Sequence, residues 1–445
     1  MAKNKETTDL IQVGSMKVYQ EFRNILVDGK NKFDMNPEFE QWPMAIIDKK
    51  DLKGVMNVRP DPDSVGEFLN PIELEMWQTR MREHIMLMND LTADVFDIIT
   101  YKWLQTSKSP ESMIMITADD FLQLRGLQAK PGGLKKRDGT TARGGFSREK
   151  RELIRKHIGI LKNTWIDVRE MTLPTIENGK RLMKKFKAKS AAIIVSSIID
   201  EIDENGREIP YAWRIRPGDV FAPFLLDAAA RQTAWMSQMA LQFDPHREKW
   251  EKRLTRYFAY QWRVRHDKGT FIAPIKVNTL LENAVQGTVD QNNPIKTKER
   301  LEKSLNKLRN HNIIKEWKYV GNEIDEKIIG QKGWWKNEEG CWQQWRIEVI
   351  PPSSLLEAYT QLKTKTQALA DSVKDVKIDP SLEIALKFKR IRKDNKLTLA
   401  DVSKEIEQVT GQIINVSTLS RIENGETKPR KKTQEILEQW LKRYS

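Results

Sequence analysis

RELIRKHIGILKNTWI at residues 151–166 and KERLEKSLNKLRNHNI at residues 298–313 are one pattern written twice. Ile154, Ile158, Leu161 and Ile166 fall onto Leu301, Leu305, Leu308 and Ile313 at a constant offset of 147 positions. Arg151, Lys156 and Lys162 fall in the same way onto Lys298, Lys303 and Arg309. Apolar residues three and four apart, followed by a break, read as an amphipathic helix running into a strand. Keeping the cations in register as well as the core predicts a duplicated domain.

Working outward, each copy is followed by a hairpin. After the first, Ala191 to Ile202 and Arg207 to Arg216 are joined by Asp203-Glu204-Asn205-Gly206, whose Asn-Gly suits a type I′ turn. After the second, strands around Ile313 to Val320 and Trp342 to Ile350 enclose a loop rich in Gly and Trp, closed by Pro351-Pro352. A basic helix, a strand and a hairpin behind it form the pattern of a winged helix. Upstream of the first copy, Asn70-Pro71 caps a helix or helix pair built on Ile72, Met76, Met81, Ile85, Met88, Val95, Ile98, Ile99 and Leu104. Thr117, with Asp120 three residues on, starts a short helix, and a basic Gly-rich loop runs from Lys130 to Gly145. The second copy opens with a long helix from Asp244 to Val264 and a short one from Val277 to Ala284. The expected fold class is mainly α with small β-hairpin wings (α+β): two tandem winged-helix domains plus a C-terminal all-α helix-turn-helix domain. The expected divisions are an N-terminal arm at 1–65, winged helix 1 at 66–225, winged helix 2 at 226–352, a helical linker at 353–379 and the last domain at 380–445.

Composition bounds the partner. In 445 residues, a net charge of +14 and a pI near 9.5 favour a polyanion, because clustered Lys and Arg release counterions as they neutralise phosphates. The single cysteine, Cys341, excludes an intramolecular disulfide framework and a Cys-based zinc cluster. No apolar run approaches a membrane span, and MAKNKETTDL lacks the apolar core of a signal peptide, so a cytoplasmic protein is expected.

Residues 381–445 carry the clearest local motif. Leu386 and Ile391 precede a turn at Asp394-Asn395-Lys396, Thr398 with Asp401 caps a second helix, and Val416-Ser417-Thr418-Leu419-Ser420-Arg421-Ile422-Glu423-Asn424-Gly425 forms a third. This resembles the helix-turn-helix of the Cro and lambda-repressor family over roughly 60 of the 445 residues. In projection Leu419 and Ile422 face the core, and Ser417, Thr418, Ser420, Arg421 and Asn424 face outward, where they can reach base edges. One departure is the link Glu405 to Asn415, about six residues longer than the family's.

Taking Leu301, Leu305 and Leu308 as the buried stripe puts Lys296, Arg300, Lys303, Asn306, Lys307 and Asn310 on the outer face of the second repeated helix. The matching face of the first is Glu149, Glu152, Leu153, Lys156, Gly159, Ile160 and Asn163, acidic at its start. The second copy is therefore expected to read DNA and the first to contact protein. Lys135, Lys136, Arg137 and Arg143 of its basic loop, with Lys156, would touch phosphates nonspecifically. His157, beside Lys156, reads as a surface or phosphate-contacting residue. In the second wing Trp334, Trp335, Trp342 and Trp345 are expected to pack in the core, leaving Lys332, Lys336 and Arg346 to phosphates.

No phosphate-binding loop, metal-ligand spacing or nucleophile constellation stands out, so neither an enzyme nor a cofactor is expected. Asp119-Asp120 and Asp200-Glu201 read as caps and turns. Two tandem winged helices in a basic chain resemble the plasmid replication initiators of the iteron-binding Rep superfamily, over roughly residues 70 to 352. That resemblance implies a non-enzymatic initiator that binds repeated sites on double-stranded DNA, helps melt neighbouring DNA and recruits host replication proteins, with a homodimer through winged helix 1 left open. A transcription repressor using the C-terminal module, and a partition or interaction adaptor, are the alternatives.

Overall fold

The computed structural model describes residues 9–35, 41–61, 69–132, 144–177, 180–203, 206–226, 232–266, 270–321, 326–360, 384, 387–389, 391–392, 395, 397–423, 427 and 429–444. The chain divides into two compact units, Met1–Lys363 and Thr364–Ser445. Helices and small antiparallel sheets alternate in the first, as an α+β chain should.

The stretch expected to be an arm is folded. Strand β1 (Leu10–Gly14) pairs antiparallel with β9 (Thr233–Ser237), and helix α1 (Lys17–Leu26) buries Val18, Tyr19, Phe22, Ile25 and Leu26 on one face. After the one-turn α2 (Gly29–Lys32), β2 (Met44–Lys49) and β3 (Leu52–Val58) form a hairpin. Leu52, Met56 and Val58 alternate inward between less buried neighbours, which is the period of a half-buried strand. The prolines near residue 60 obscure that alternation in the sequence.

The first repeated region runs α3 (Pro71–Leu87), α4 (Asp90–Thr106), β4 (Ile114–Thr117), α5 (Ala118–Leu124) and α6 (Arg148–Lys162). Asn70, Asn89 and Thr117 each close a capping box, so three of these helices start where side-chain oxygens take up free backbone N–H groups. Then come two hairpins, β5 (Thr164–Glu177) with β6 (Lys180–Ala191), and β7 (Ile193–Ile202) with β8 (Glu208–Pro217). The second is the hairpin expected from the sequence and makes a sheet in the order β4-β8-β7. The first is an insertion, and it completes another sheet, β2-β3-β5-β6. Ile166 therefore lies on the inserted strand β5, whereas Ile313 precedes a strand of the second copy's own sheet. The 147-residue register holds for the helices and fails for the strands behind them. Gly218 ends this region where a Cβ would lie 1.8 Å from the Ala191 carbonyl oxygen, so only glycine fits.

Past α7 (Ala222–Leu225) and α8 (Met239–Gln242), the second copy runs α9 (Lys249–His266), β10 (Ile275–Lys276), α10 (Val277–Thr279) continuing as a π-turn to Val285, α11 (Pro294–Asn310), β11 (Glu316–Val320) and β12 (Arg346–Ile350). Its sheet order is β10-β12-β11, the same arrangement as β4-β8-β7. Residues 353–360 are helical, and the rest of the expected linker lies outside the described residues.

The second unit has its own core of Ile384, Phe388, Val402, Ile406, Ile414, Leu419, Ile422, Ile436, Leu437, Trp440 and Leu441. Its described helices are Leu399–Thr410, Val416–Glu423 and Lys431–Leu441. Thr398 and Asp401 form the expected capping box. The extra residues of the long link lengthen the first of these helices, which ends at Gly411 in the left-handed conformation (φ 66°).

Candidate nucleic-acid interface

Helix α11 is built to present cations. Asn293 accepts from the Lys296 amide at 3.2 Å, Pro294 occupies the first turn, and Leu301, Leu305 and Leu308 are fully buried. With that stripe inward, Lys296, Arg300, Lys303 and Asn310 are exposed. The Arg300 guanidinium lies 4.5 Å from the ring centroid of Trp250 on α9, a cation–π contact that uses none of its donors. Two members of the expected face are already engaged. Lys307 is ion-paired with Glu248, and Asn306 accepts from the Trp317 indole N–H at 3.1 Å.

The loop between β11 and β12 is anchored to α11 through Tyr319. Its hydroxyl donates to Glu302 Oε1 at 3.1 Å and accepts from Trp342 Nε1 at 3.1 Å, while Lys298 reaches Glu302 at 2.6 Å. Burial pushes the Tyr319 phenol well above its ordinary range, so it remains a neutral donor. Trp334, Trp342 and Trp345 are buried and Trp335 is half-buried against the same core, as expected for packing residues. Lys332, Lys336 and Arg346 are exposed, Lys336 with Glu338 at 3.2 Å.

The corresponding helix α6 differs in charge. Arg151 makes a bidentate pair with Asp119 at 2.8 and 2.8 Å, and Arg155 reaches Asp200 at 2.5 Å. Asp119 and Asp200, expected only as cap and turn residues, thus neutralise Arg151 and Arg155. Lys156 is exposed. Ile160, expected outward, is fully buried, and so is His157, expected at the surface. Both follow from α6 packing against α4, α5 and strands of two sheets, which widens its buried stripe beyond what one apolar seam predicts. Lys135, Lys136, Arg137 and Arg143 lie outside the described residues.

In the second unit, Ser417, Thr418 and Arg421 are exposed and Ser420 is half-buried on the helix Val416–Glu423, whose Leu419 and Ile422 point into the core. Arg392 clamps that helix through Glu423 at 2.8 and 2.6 Å. Asn424 lies outside the described residues.

The chain is similar to solved structures that include the following two. Both are crystal structures of domains 2 and 3 of RctB. The first, of selenomethionine derivatives, has a TM-score of 0.34 at 12% identity and covers 74% of this chain and 97% of its own. The other has a TM-score of 0.33 at 13% identity and covers 70% and 92%. The chain matches no protein-family model and no curated protein. Among the described residues, no helix is long and apolar enough to cross a membrane.

Two features carried no recognised signal in the sequence. One is the β5–β6 hairpin. The other is a buried ion network in which Asp90, Asp94 and Asp97 of α4 meet Lys252, Arg253 and Arg256 of α9 and Arg23 of α1. The three aspartates stand at i, i+4 and i+7, one stripe of a helix.

Proposed function

We propose that this chain is a non-enzymatic, sequence-specific double-stranded DNA-binding protein that acts as a plasmid replication initiator. On this reading it has two tandem winged helices and a C-terminal helix-turn-helix of the Cro type. The observation that carries the proposal is the exposed stripe Lys296, Arg300 and Lys303 on α11, set between a capped start and an anchored hairpin loop. A helix of this kind fits a major groove, and Lys332, Lys336 and Arg346 beside it suit flanking phosphates. Support for paired winged helices comes from the repeated order of helix, strand, two helices and two strands, with sheet orders β4-β8-β7 and β10-β12-β11. The pairing of Arg151 and Arg155 with carboxylates, which takes these two cations of α6 away from phosphates, supports a protein-contacting role for the first copy, either to a second copy of the chain or to host replication proteins.

A footprint on the DNA flanking the gene, at moderate salt, tests the reading. Evenly spaced protected repeats are expected, with Lys303→Ala and Arg300→Ala each weakening protection by about 5- to 100-fold. Lys307→Ala should weaken it far less, since Lys307 already has a carboxylate partner. One observation favours a second reading, a transcription repressor: the exposed Ser417, Thr418 and Arg421 on a helix clamped from behind. A single protected palindrome at the promoter would select it, because operator symmetry mirrors dimer symmetry.

A further inference from the structure

The hairpin inserted after α6 projects past its sheet. Strand β3 pairs with β5 only from Thr164 to Met171, whereas β5 and β6 continue as a two-stranded ribbon from Thr172 opposite Lys185 to Glu177 opposite Lys180. At about 3.3 Å per residue, those six pairs extend roughly 20 Å. Strand β6 is also the edge of the sheet β2-β3-β5-β6. Its residues 180–189, KRLMKKFKAK, hold six cations and no acid, so it is charged well beyond the chain average.

Alternation decides where those charges point. Phe186 and Ala188 pack against the main core, with Phe186 edge-on to Phe224 at 5.3 Å, and this turns Lys185, Lys187 and Lys189 to the opposite, exposed side. Side chains two residues apart on a strand stand about 6–7 Å from one another, close to the separation of successive phosphates on one nucleic-acid strand. Arg169, exposed on β5, adds a fourth cation where the β5–β6 register shifts between Val168 and Met171. Lys185 pairs with Glu170 at 2.7 Å and Lys189 with Asp167 at 3.3 Å, but both lysines are more than half exposed. Exposed pairs of this kind are weak and exchange readily for a phosphate.

We propose that the outer face of β6, from Lys185 at the base of the projecting ribbon along the sheet edge to Lys187 and Lys189, is a second DNA-binding surface, one that tracks the phosphate backbone of a duplex without reading its sequence. This rests on the DNA-binding reading above and adds a surface separate from α11. A rigid ladder of lysines gives affinity and register, while α11 supplies discrimination.

The test compares the full chain with its Lys185→Ala/Lys187→Ala/Lys189→Ala variant on two 30-base-pair duplexes, one holding the footprinted site and one of random sequence, across a salt series. Affinity should fall by the same factor on both, roughly tenfold or more at moderate salt. The slope of log affinity against log salt should shrink by about 2–3, close to 0.9 for each phosphate that is no longer neutralised. The matching triple Arg variant should keep both, since a phosphate needs only the positive charge. A triple Gln variant with an unchanged melting temperature separates removal of that charge from damage to the fold. Unchanged affinity and slope, while Lys303→Ala still fails to hold the specific site, would overturn the β6 proposal alone. So would a variant that merely aggregates, which would make these lysines guards of an exposed edge. Failure of the unaltered chain to bind either duplex would overturn both this proposal and the functional reading beneath it.

Discussion

His157 follows directly after the exposed Lys156 on α6, yet its ring is 3% exposed and its Nδ1 lies 2.9 Å from Thr92 Oγ1. Burial, aided by the nearby Arg125 and Lys156 charges, brings its pKa down from 6.5 to about 4, and burial does the same for His84. Both rings are neutral in the folded chain. Between pH 6.5 and 4 the unfolded chain binds more protons than the folded one, so stability is present above 6.5 and is lost as pH falls toward 4. Each histidine should cost about 2 kcal/mol between pH 7 and 5. Thermal melts at the two pH values check this, and His157→Gln should flatten the dependence by about half. A dependence unaltered by that change would place the acid sensitivity elsewhere. Position 157 is a case in which the sequence misleads, because a histidine next to a lysine on a basic helix looks solvated until three elements close over it.

At the scale of elements, α4 and α9 are corresponding helices of the two copies, and they meet through charge. Asp94 takes Lys252 at 2.9 Å and Arg256 at 2.5 Å, and Lys252 also donates to the carbonyls of Ala240, Leu241 and Phe243. Burial pushes the Asp94 carboxyl up and the Lys252 ammonium down, opposed in each case by the partner's charge. For Arg256, the three aspartates outweigh burial and hold the guanidinium charged. Asp94→Ala would leave Lys252 buried without its carboxylate and take one of three from Arg256, and should lower stability by about 3–5 kcal/mol in urea titration. A decrease below about 1 kcal/mol would mean that the network is wetter than its burial indicates. None of this is legible from one helix. Asp90, Asp94 and Asp97 look like a solvent face, and the arginines that bury them lie some 160 residues on. The caps, by contrast, were readable. Asn70 with Pro71, Thr117 with Asp120 and Thr398 with Asp401 act within four residues, so their geometry is set by the local chain.

For the whole molecule, the net charge of +14 is distributed unevenly over the surface. On α6, Arg151 and Arg155 answer to carboxylates, while Lys296, Arg300 and Lys303 of α11 and Lys185, Lys187 and Lys189 of β6 are exposed. If Lys296, Arg300 and Lys303 and the three β6 lysines all meet phosphates or base edges, log affinity should fall with log salt at a slope of about −5. Substitutions in the two sets should add, since the sets share no partner. Binding isotherms from low to physiological salt measure both quantities. A slope near −2 would leave one of the surfaces idle.

By itself, the sequence determined the repeated helices, their caps, the β7–β8 hairpin, and the C-terminal helices with Leu419 and Ile422 inward. All of these rest on interactions between residues a few positions apart, and three- and four-residue spacing records them directly. Only the tertiary structure decided which charges are spent and which are free. Whether Arg151, Lys307 or Asp94 faces water depends on a partner brought in from another element. The folding of Met44–Val58 into a sheet likewise depends on β5, more than 100 residues downstream. The inserted β5–β6 ribbon was hidden for the same reason: an alternating lysine strand looks like a solvated loop until a sheet gives its apolar face something to cover.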